Sequence, residues 1–277
     1  MRIAAAGFGV TGAGREKNDD YYCLGPFVEQ GVLTSLEIDT TSSSFRRYGF
    51  LVAVADGMGG YAGGNVASRI LLEYLSARFY SEERVDFSDE ELLSSLQRYL
   101  EDAQQALVTV LQRSPALQQA GTTLAGIVLA APDRIIVFHI GDSRVLRFAA
   151  GYLRPLTIDH TVVGEDVASG RLTEEEALQI PDGGALLRSL GMHDSAEADW
   201  QLERALLPGN RFFLGTDGWF GLGRGLSRQQ IQEIARQDDN PAAITQLMVR
   251  AAIAAGSQDD TTLVTVQIAE DDNADGR

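Results

Sequence analysis

The stretch Phe50-Leu-Val-Ala-Val-Ala-Asp56-Gly57-Met58-Gly59-Gly60 governs the reading of the chain. An unbroken apolar run of this length fits a strand covered on both faces. It ends in an acid followed by glycines. The strand would fix Asp56 in space, and Gly57 would let backbone approach another group closely, with its carbonyl free to act as a ligand. A helical pattern begins a few residues on. Read alone, the segment also fits a plain strand-to-helix turn.

Other strand-like runs flank this one: 3–10, 122–130, 134–140, 144–148, 211–215 and 261–268. Helix starts are marked by capping boxes at Ser88–Glu91, Thr173–Glu176 and Ser227–Gln230. Asn240-Pro241 pairs a cap with a first-turn proline, and Gly256 closes that helix. The Ser/Thr run 40–44 reads as a hairpin tip. The order is strands, two long helices, more strands, an irregular polar insert, strands, two helices and a final strand. Helices that come in consecutive pairs disfavour a doubly wound parallel sheet and favour antiparallel sheets with helix pairs outside, an α+β architecture. One domain over 1–268 is expected, with an acidic tail at 269–277.

The chain carries 23 basic and 39 acidic residues, a formal charge of −16. That balance argues against nucleic acid and anionic lipid as main partners. Most of the acidity reads as a solvated surface. No apolar stretch approaches the roughly 18 residues of a membrane span. The single cysteine, Cys23, excludes an intramolecular disulfide and points to a reducing, cytoplasmic setting. It follows Tyr21-Tyr22 and reads as core. Histidines at 139, 160 and 193 are too scattered for a usual zinc site, so any metal would be a hard cation held by oxygen. His139 reads as a core histidine.

Several acids stand where strands end. Asp217-Gly218 follows the strand 212–215, Asp259-Asp260 precede the last strand, and Gly141-Asp142-Ser143-Arg144 forms a tight turn. Each alone is ordinary turn chemistry. After the first strand, Arg15 lies close to Asp19 and Asp20. Its planar fork would suit a phosphate, and a solvated charge cluster is the plainer reading.

Arg15-x-x-Asn18-x-Asp20, Asp56-Gly57-Met58-Gly59-Gly60, Gly121-Thr-Thr, Gly141-Asp-Ser-Arg, Asp159-His160, Thr216-Asp-Gly and Asp259-Asp-Thr-Thr occur in that order. The series resembles the metal-dependent protein phosphatase family, the type 2C serine/threonine phosphatases, in its compact bacterial form, from about residue 3 to 268. The resemblance implies a four-layer α-β-β-α sandwich with a flap insert at about 161–185. It implies two Mn²⁺ or Mg²⁺ ions and a weaker third. Asp56 would bridge both metals, with the Gly57 carbonyl on the second and Asp217 and Asp259 on the first. Asp20 would hold the second metal's water shell. Asp142 would join Asp217 at the third metal, and Arg15 would bind phosphate. A metal-bridging water would attack phosphorus in line, with no phosphoenzyme.

The activity that the resemblance implies is hydrolysis of phosphoserine and phosphothreonine in proteins, opposing a bacterial Ser/Thr kinase. A catalytically weak phosphoprotein-binding module on the same fold is the alternative. The family's histidine beside the Asp-Gly pair is absent, since Met58 and Tyr61 occupy its usual places. Water, Tyr61 or no group at all would then protonate the leaving oxygen. His160, in the family's Asp-His pair, would support the flap, face substrate or hold a purely structural place. Asp260 replaces the family's usual asparagine.

Overall fold

The computed structural model describes residues 1–59, 63–192, 196–204 and 206–270. Gly60, Tyr61, His193 and the tail beyond Glu270 lie outside the described residues. Two antiparallel sheets face one another. The first has the order β10 (Tyr152–Pro155), β9 (Arg144–Ala149), β12 (Arg211–Gly215), β14 (Thr261–Ala269), β1 (Arg2–Val10), β4 (Thr34–Asp39). The second has the order β11 (Asp199–Arg204), β8 (Arg134–Ile140), β7 (Leu124–Ala130), β5 (Phe50–Met58), β2 (Asp20–Leu24), β3 (Phe27–Glu29), with β6 (Gly121–Thr122) pairing the end of β5. A two-residue strand, β13 (Arg224–Gly225), folds back on the segment after β12.

Strand β5 shows why an unbroken apolar run was needed. Phe50, Val52 and Val54 point into the layer between the sheets, against Tyr22, Leu24, Val264 and Val266. Leu51, Ala53 and Ala55 point outward, into the core under α2 (Gly63–Phe79) and α3 (Asp89–Gln112). Both faces are therefore dry. On the far side of the first sheet, α7 (Arg228–Ala235) and α8 (Pro241–Ala254) cover Phe213, Leu146 and Leu263. The result is the expected four-layer α-β-β-α sandwich. No helix among the described residues is long and apolar enough to cross a membrane.

The helix starts follow their caps. Ser88, Thr173 and Ser227 each accept the N3 backbone N–H while the N3 side chain returns the bond. Asn240 accepts from the N–H groups of Ala242 and Ala243. Among its described residues the insert between β10 and β11 holds two short helices, α4 (Gly164–Ala168) and α5 (Glu174–Ala177). An isolated bridge, Thr161 to Leu186, closes it at its base.

Two local expectations need correcting. Residues 40–44 are not a hairpin tip. β4 lies in the first sheet and β5 in the second, so the chain must cross between layers there. It does so through α1 (Ser43–Tyr48), where Ser42 caps the helix by accepting from Phe45 N–H. The run 122–130 is also not one strand. It breaks at Thr123, whose N–H donates to the Asp56 carbonyl at 2.9 Å. That bend turns the chain toward the functional end of the sandwich.

Candidate metal centre

Inward parity on β5 runs 50, 52, 54, 56, so Asp56 is the last member of the inter-sheet face and emerges where the apolar layer stops. Around it opens a cavity of about 430 Å³ lined by Arg15, Asp19, Asp56, Gly57, Asp142, Asp217 and Asp259. Asp142 comes from the β8–β9 turn. Asp217 opens the one-turn helix α6 (Asp217–Phe220) after β12, and Asp259 sits just before β14. Gly184 and Leu186 bring the insert to the cavity wall. Six of the seven expected site residues thus line one space, although they come from distant parts of the chain.

Asp20 is the exception. It pairs directly with Asp56 across β2 and β5 and shares the inward face with Tyr22 and Leu24. That parity sinks its side chain to 0 % exposure. Thr216 Oγ1 donates to Asp20 Oδ2 at 2.8 Å. Its neighbour Asp19, half-buried, stands on the cavity wall, while Asp20 lies beneath it beside Asp56. A reading of β2 as a strand, with its Asp-Tyr-Tyr-Cys-Leu alternation, would have separated the two acids.

The Gly121-Thr122-Thr123 motif holds the end of β5 in place. Thr122 Oγ1 donates to the Asp56 carbonyl at 2.9 Å, and Asp56 N–H donates to Thr123 Oγ1 at 3.0 Å. Thr123 Oγ1 also meets Ser143 Oγ at 2.7 Å, tying this end to the Asp142 turn. Gly57 packs against the first turn of α2, where a Cβ would collide with the Gly64 carbonyl and lie 2.7 Å from the Asp19 carbonyl oxygen. Only glycine fits there.

The charges are in conflict. Burial, and then Asp20, Asp217 and Asp142, push Asp56 well above the usual carboxylate range. Burial raises Asp20 too, and Thr216 only partly opposes it. Asp217 is raised by burial, with Arg224 opposing. Burial, then Asp217 and Asp159, bring Asp142 up to about 7. Two guanidinium groups reach the cluster. Arg15 pairs with Asp259 and Asp260, and Arg224 pairs with Asp217 and with Asp259 at 2.8 Å. Burial works against the Arg15 charge, but Asp259 and Asp260 outweigh it and raise its pKa.

These residues suit hard dications. All the donors are oxygens. Asp217 Oδ1 and Asp20 Oδ1 are buried and lack hydrogen-bond partners, an expensive state for a carboxylate oxygen. The carboxylate cluster is the arrangement that a cation would relieve.

The remaining candidates have structural places. Cys23 is fully buried, and burial pushes its thiol up to about 12, so it is no nucleophile. His139 and His160 stack with ring centroids 4.3 Å apart. With Asp199 they offer ligand atoms within 4.8 Å of one another, a grouping that sequence spacing hid. That corner already holds a cation, since Arg188 Nη1 lies 3.3 Å from His160 Nε2 and 2.9 Å from Asp199. Gly141 N–H donates to His160 Nδ1 at 3.2 Å, and Leu187 N–H donates to the His160 carbonyl. His160 therefore braces the Asp142 turn against the insert and does not face the cavity. Trp219 is core, and Trp200 stacks on Phe138 at 5.2 Å.

An antiparallel sandwich with helix pairs outside carries a carboxylate cavity at one end of its inter-sheet layer, the arrangement expected of a metal-dependent protein phosphatase. The chain belongs to the protein phosphatase 2C family, whose match covers residues 38–249 and so includes Asp56, Asp142 and Asp217. It is 32% identical over 222 residues to the serine/threonine protein phosphatase PstP of Mycobacterium tuberculosis, covering 80% of this chain and 41% of that longer protein. It is 32% identical over 223 residues to the protein phosphatase PhpP of Streptococcus pneumoniae, covering 80% of this chain and 87% of that one. The solved catalytic domain of PstP, in complex with two manganese ions, superposes with a TM-score of 0.75 at 26% identity, covering 98% of this chain and 100% of that one.

Proposed function

We propose that this chain hydrolyses phosphoserine and phosphothreonine in proteins, using two Mn²⁺ or Mg²⁺ ions held in the Asp56 cavity. The observation that carries this is the meeting of Asp56, Gly57, Asp217 and Asp259 with Arg15 on one cavity. Asp56 and the Gly57 carbonyl would hold one ion, and Asp56, Asp217 and Asp259 the other. Asp142 and Asp217 line the same cavity, which supports a third, weaker site between them. Bound there, the ions would acidify water and offset charge on the phosphoryl oxygens.

The chain's own residues do the rest. Arg15 lines the cavity and offers donors in a fork that matches phosphate oxygens. The buried carboxylates stay ionised only with positive charge beside them, which ties the competent form of the site to its ions. Thr122 and Thr123 keep Asp56 from moving as charge shifts. Among the described residues no histidine lines the cavity, and Met58 cannot donate a proton. In this reading the leaving oxygen takes its proton from water or from Tyr61, which lies outside the described residues, or leaves unprotonated. The kinship with bacterial serine/threonine phosphatases supports a phosphoprotein substrate. A Ser/Thr kinase as the opposing enzyme and a cytoplasmic setting belong to the same proposal.

A phosphothreonine peptide assay tests the reading. Turnover should need Mn²⁺ or Mg²⁺, stop on chelation, and fall by at least about a thousandfold in Asp56→Asn. Metal-independent turnover refutes it. Metal binding without turnover instead favours the binding-module alternative, against which the retention of four mutually repelling buried acids speaks.

A further inference from the structure

Asp260 lines no part of the cavity, yet its carboxylate accepts three hydrogen bonds. Its side chain is 1% exposed. Oδ1 accepts from Gly12 N–H at 2.7 Å. Oδ2 accepts from Asp19 N–H at 2.8 Å and from Arg15 Nη1 at 3.1 Å. Its own N–H donates to Asp259 Oδ1 at 2.9 Å. One buried carboxylate thus gathers both ends of the loop that presents Arg15 and Asp19.

The donor set specifies a carboxylate. An asparagine of the same shape has one acceptor oxygen and one NH₂. Whichever way it turned, its nitrogen would face either Gly12 N–H or the Asp19 and Arg15 donors. Partly buried N–H groups would then lose their acceptor. The packing agrees. A Cβ on Gly12 would lie 2.7 Å from the Asp259 carbonyl carbon and 2.9 Å from Asp260 N, so the loop is pressed onto this segment and only glycine allows it. Arg15 is the cation that compensates the buried charge.

We infer that Asp260 is a positioning residue that fixes the Arg15 guanidinium for the substrate's phosphoryl group, acting through the Gly12–Asp19 loop. The inference rests on the reading of Arg15 as the phosphate-binding arginine. One Nη1 donor is committed to Asp260, which sets the plane of the fork. Without that anchor Arg15 keeps, among the described residues, its pair with Asp259, itself a proposed metal ligand.

The test compares Asp260→Asn, Arg15→Ala and the double variant with the unaltered chain in saturating Mn²⁺. Inhibition by inorganic phosphate, KM and kcat for p-nitrophenyl phosphate, and Mn²⁺ binding by calorimetry are read for each. Asp260→Asn should weaken phosphate inhibition and raise KM about tenfold, with kcat changed less than about threefold. The double variant should be no worse than Arg15→Ala alone, since both act on one contact. Mn²⁺ affinity is read so that phosphate affinity and KM are compared at full metal loading, since Arg15 pairs with the proposed ligand Asp259 and the Asp260 N–H donates to it. A thermal melt accompanies each variant, and Asp260→Ser, which removes the carboxylate without placing an amide against the donors, stands in if Asp260→Asn does not fold. Additive losses in the double variant overturn the proposal. So does a loss of phosphate affinity in Arg15→Ala that neither Asp260 variant shares. Unchanged phosphate affinity in Arg15→Ala overturns the phosphate reading of Arg15 itself, and this inference with it.

Discussion

Asp142→Asn should stabilise the chelated protein at pH 8 and do little at pH 5. Burial, then Asp217 and Asp159, carry the Asp142 carboxyl from 3.8 to about 7 in the fold. At about 1.4 kcal/mol per pH unit, ionising it in the folded state costs roughly 4 kcal/mol. Asp142 is partly exposed, and screening by solvent brings this to about 2 kcal/mol. The sign follows from the direction of the rise. A carboxyl whose folded pKa exceeds its unfolded value favours folding when protonated. That contribution is intact below the unfolded value near 3.8 and is lost as pH climbs through about 7. An amide of the same shape carries no charge to lose. For a chain of this size about 2 °C of melting temperature corresponds to 1 kcal/mol, so the gain at pH 8 should be about 4 °C. At pH 5 less than about half of it should remain. Thermal melts in chelator at the two pH values make the assay, and saturating Mn²⁺ should then raise the unaltered chain more than the variant. A variant no more stable than the unaltered chain at pH 8, or equally stabilised at both pH values, would refute the view that this end of the sandwich is held under electrostatic strain.

Other outcomes rest on single contacts. Gly57→Ala drives a methyl into the Gly64 carbonyl and toward the Asp19 carbonyl, so it should lower stability by about 1–3 kcal/mol in melts and weaken Mn²⁺ binding in calorimetry. Wild-type metal affinity in that variant would show that the β5–α2 approach does not set the site. Arg144 forks onto Asp159 at 2.8 and 2.6 Å, with both side chains largely buried, and stacks over Phe220 at 4.7 Å. Arg144→Gln leaves Asp159 unpaired near Asp142 and should cost about 3 kcal/mol, a fall of about 6 °C that deepens as pH rises. A melt unchanged within about 1 °C would show that the pair does not hold this corner of the fold.

How far the sequence could be read depends on what each residue answers to. The strands at 134–140 and 211–215 match their expected bounds because both faces of each are buried and apolarity alone marks them. The capping boxes were equally legible, since a cap is a local pattern. β4 and β11 alternate between half-buried and exposed residues at or near sheet edges and have no unbroken apolar run, so they escaped notice. In the site, Asp56, Asp142, Asp217 and Asp259 were legible because each follows or precedes a recognisable strand. That Asp19 lines the cavity while Asp20 lies beneath it beside Asp56 was not, because separating adjacent acids needs the parity of a strand only five residues long. Arg224 also escaped. It lies in the two-residue strand β13, and only the fold brings it onto Asp217 and Asp259. The histidine pair was hidden for a like reason, since His139 and His160 meet across β8 and the start of the insert.

The central claim is that Asp56 joins two dications at the end of the inter-sheet layer. Anomalous diffraction from crystals grown with Mn²⁺ measures this most directly. Two peaks flanking Asp56 are predicted, one on the Gly57 carbonyl side and one on the Asp217–Asp259 side, with both lost in Asp56→Asn. Peaks elsewhere, for example at His139, His160 and Asp199, with none at Asp56, would contradict it.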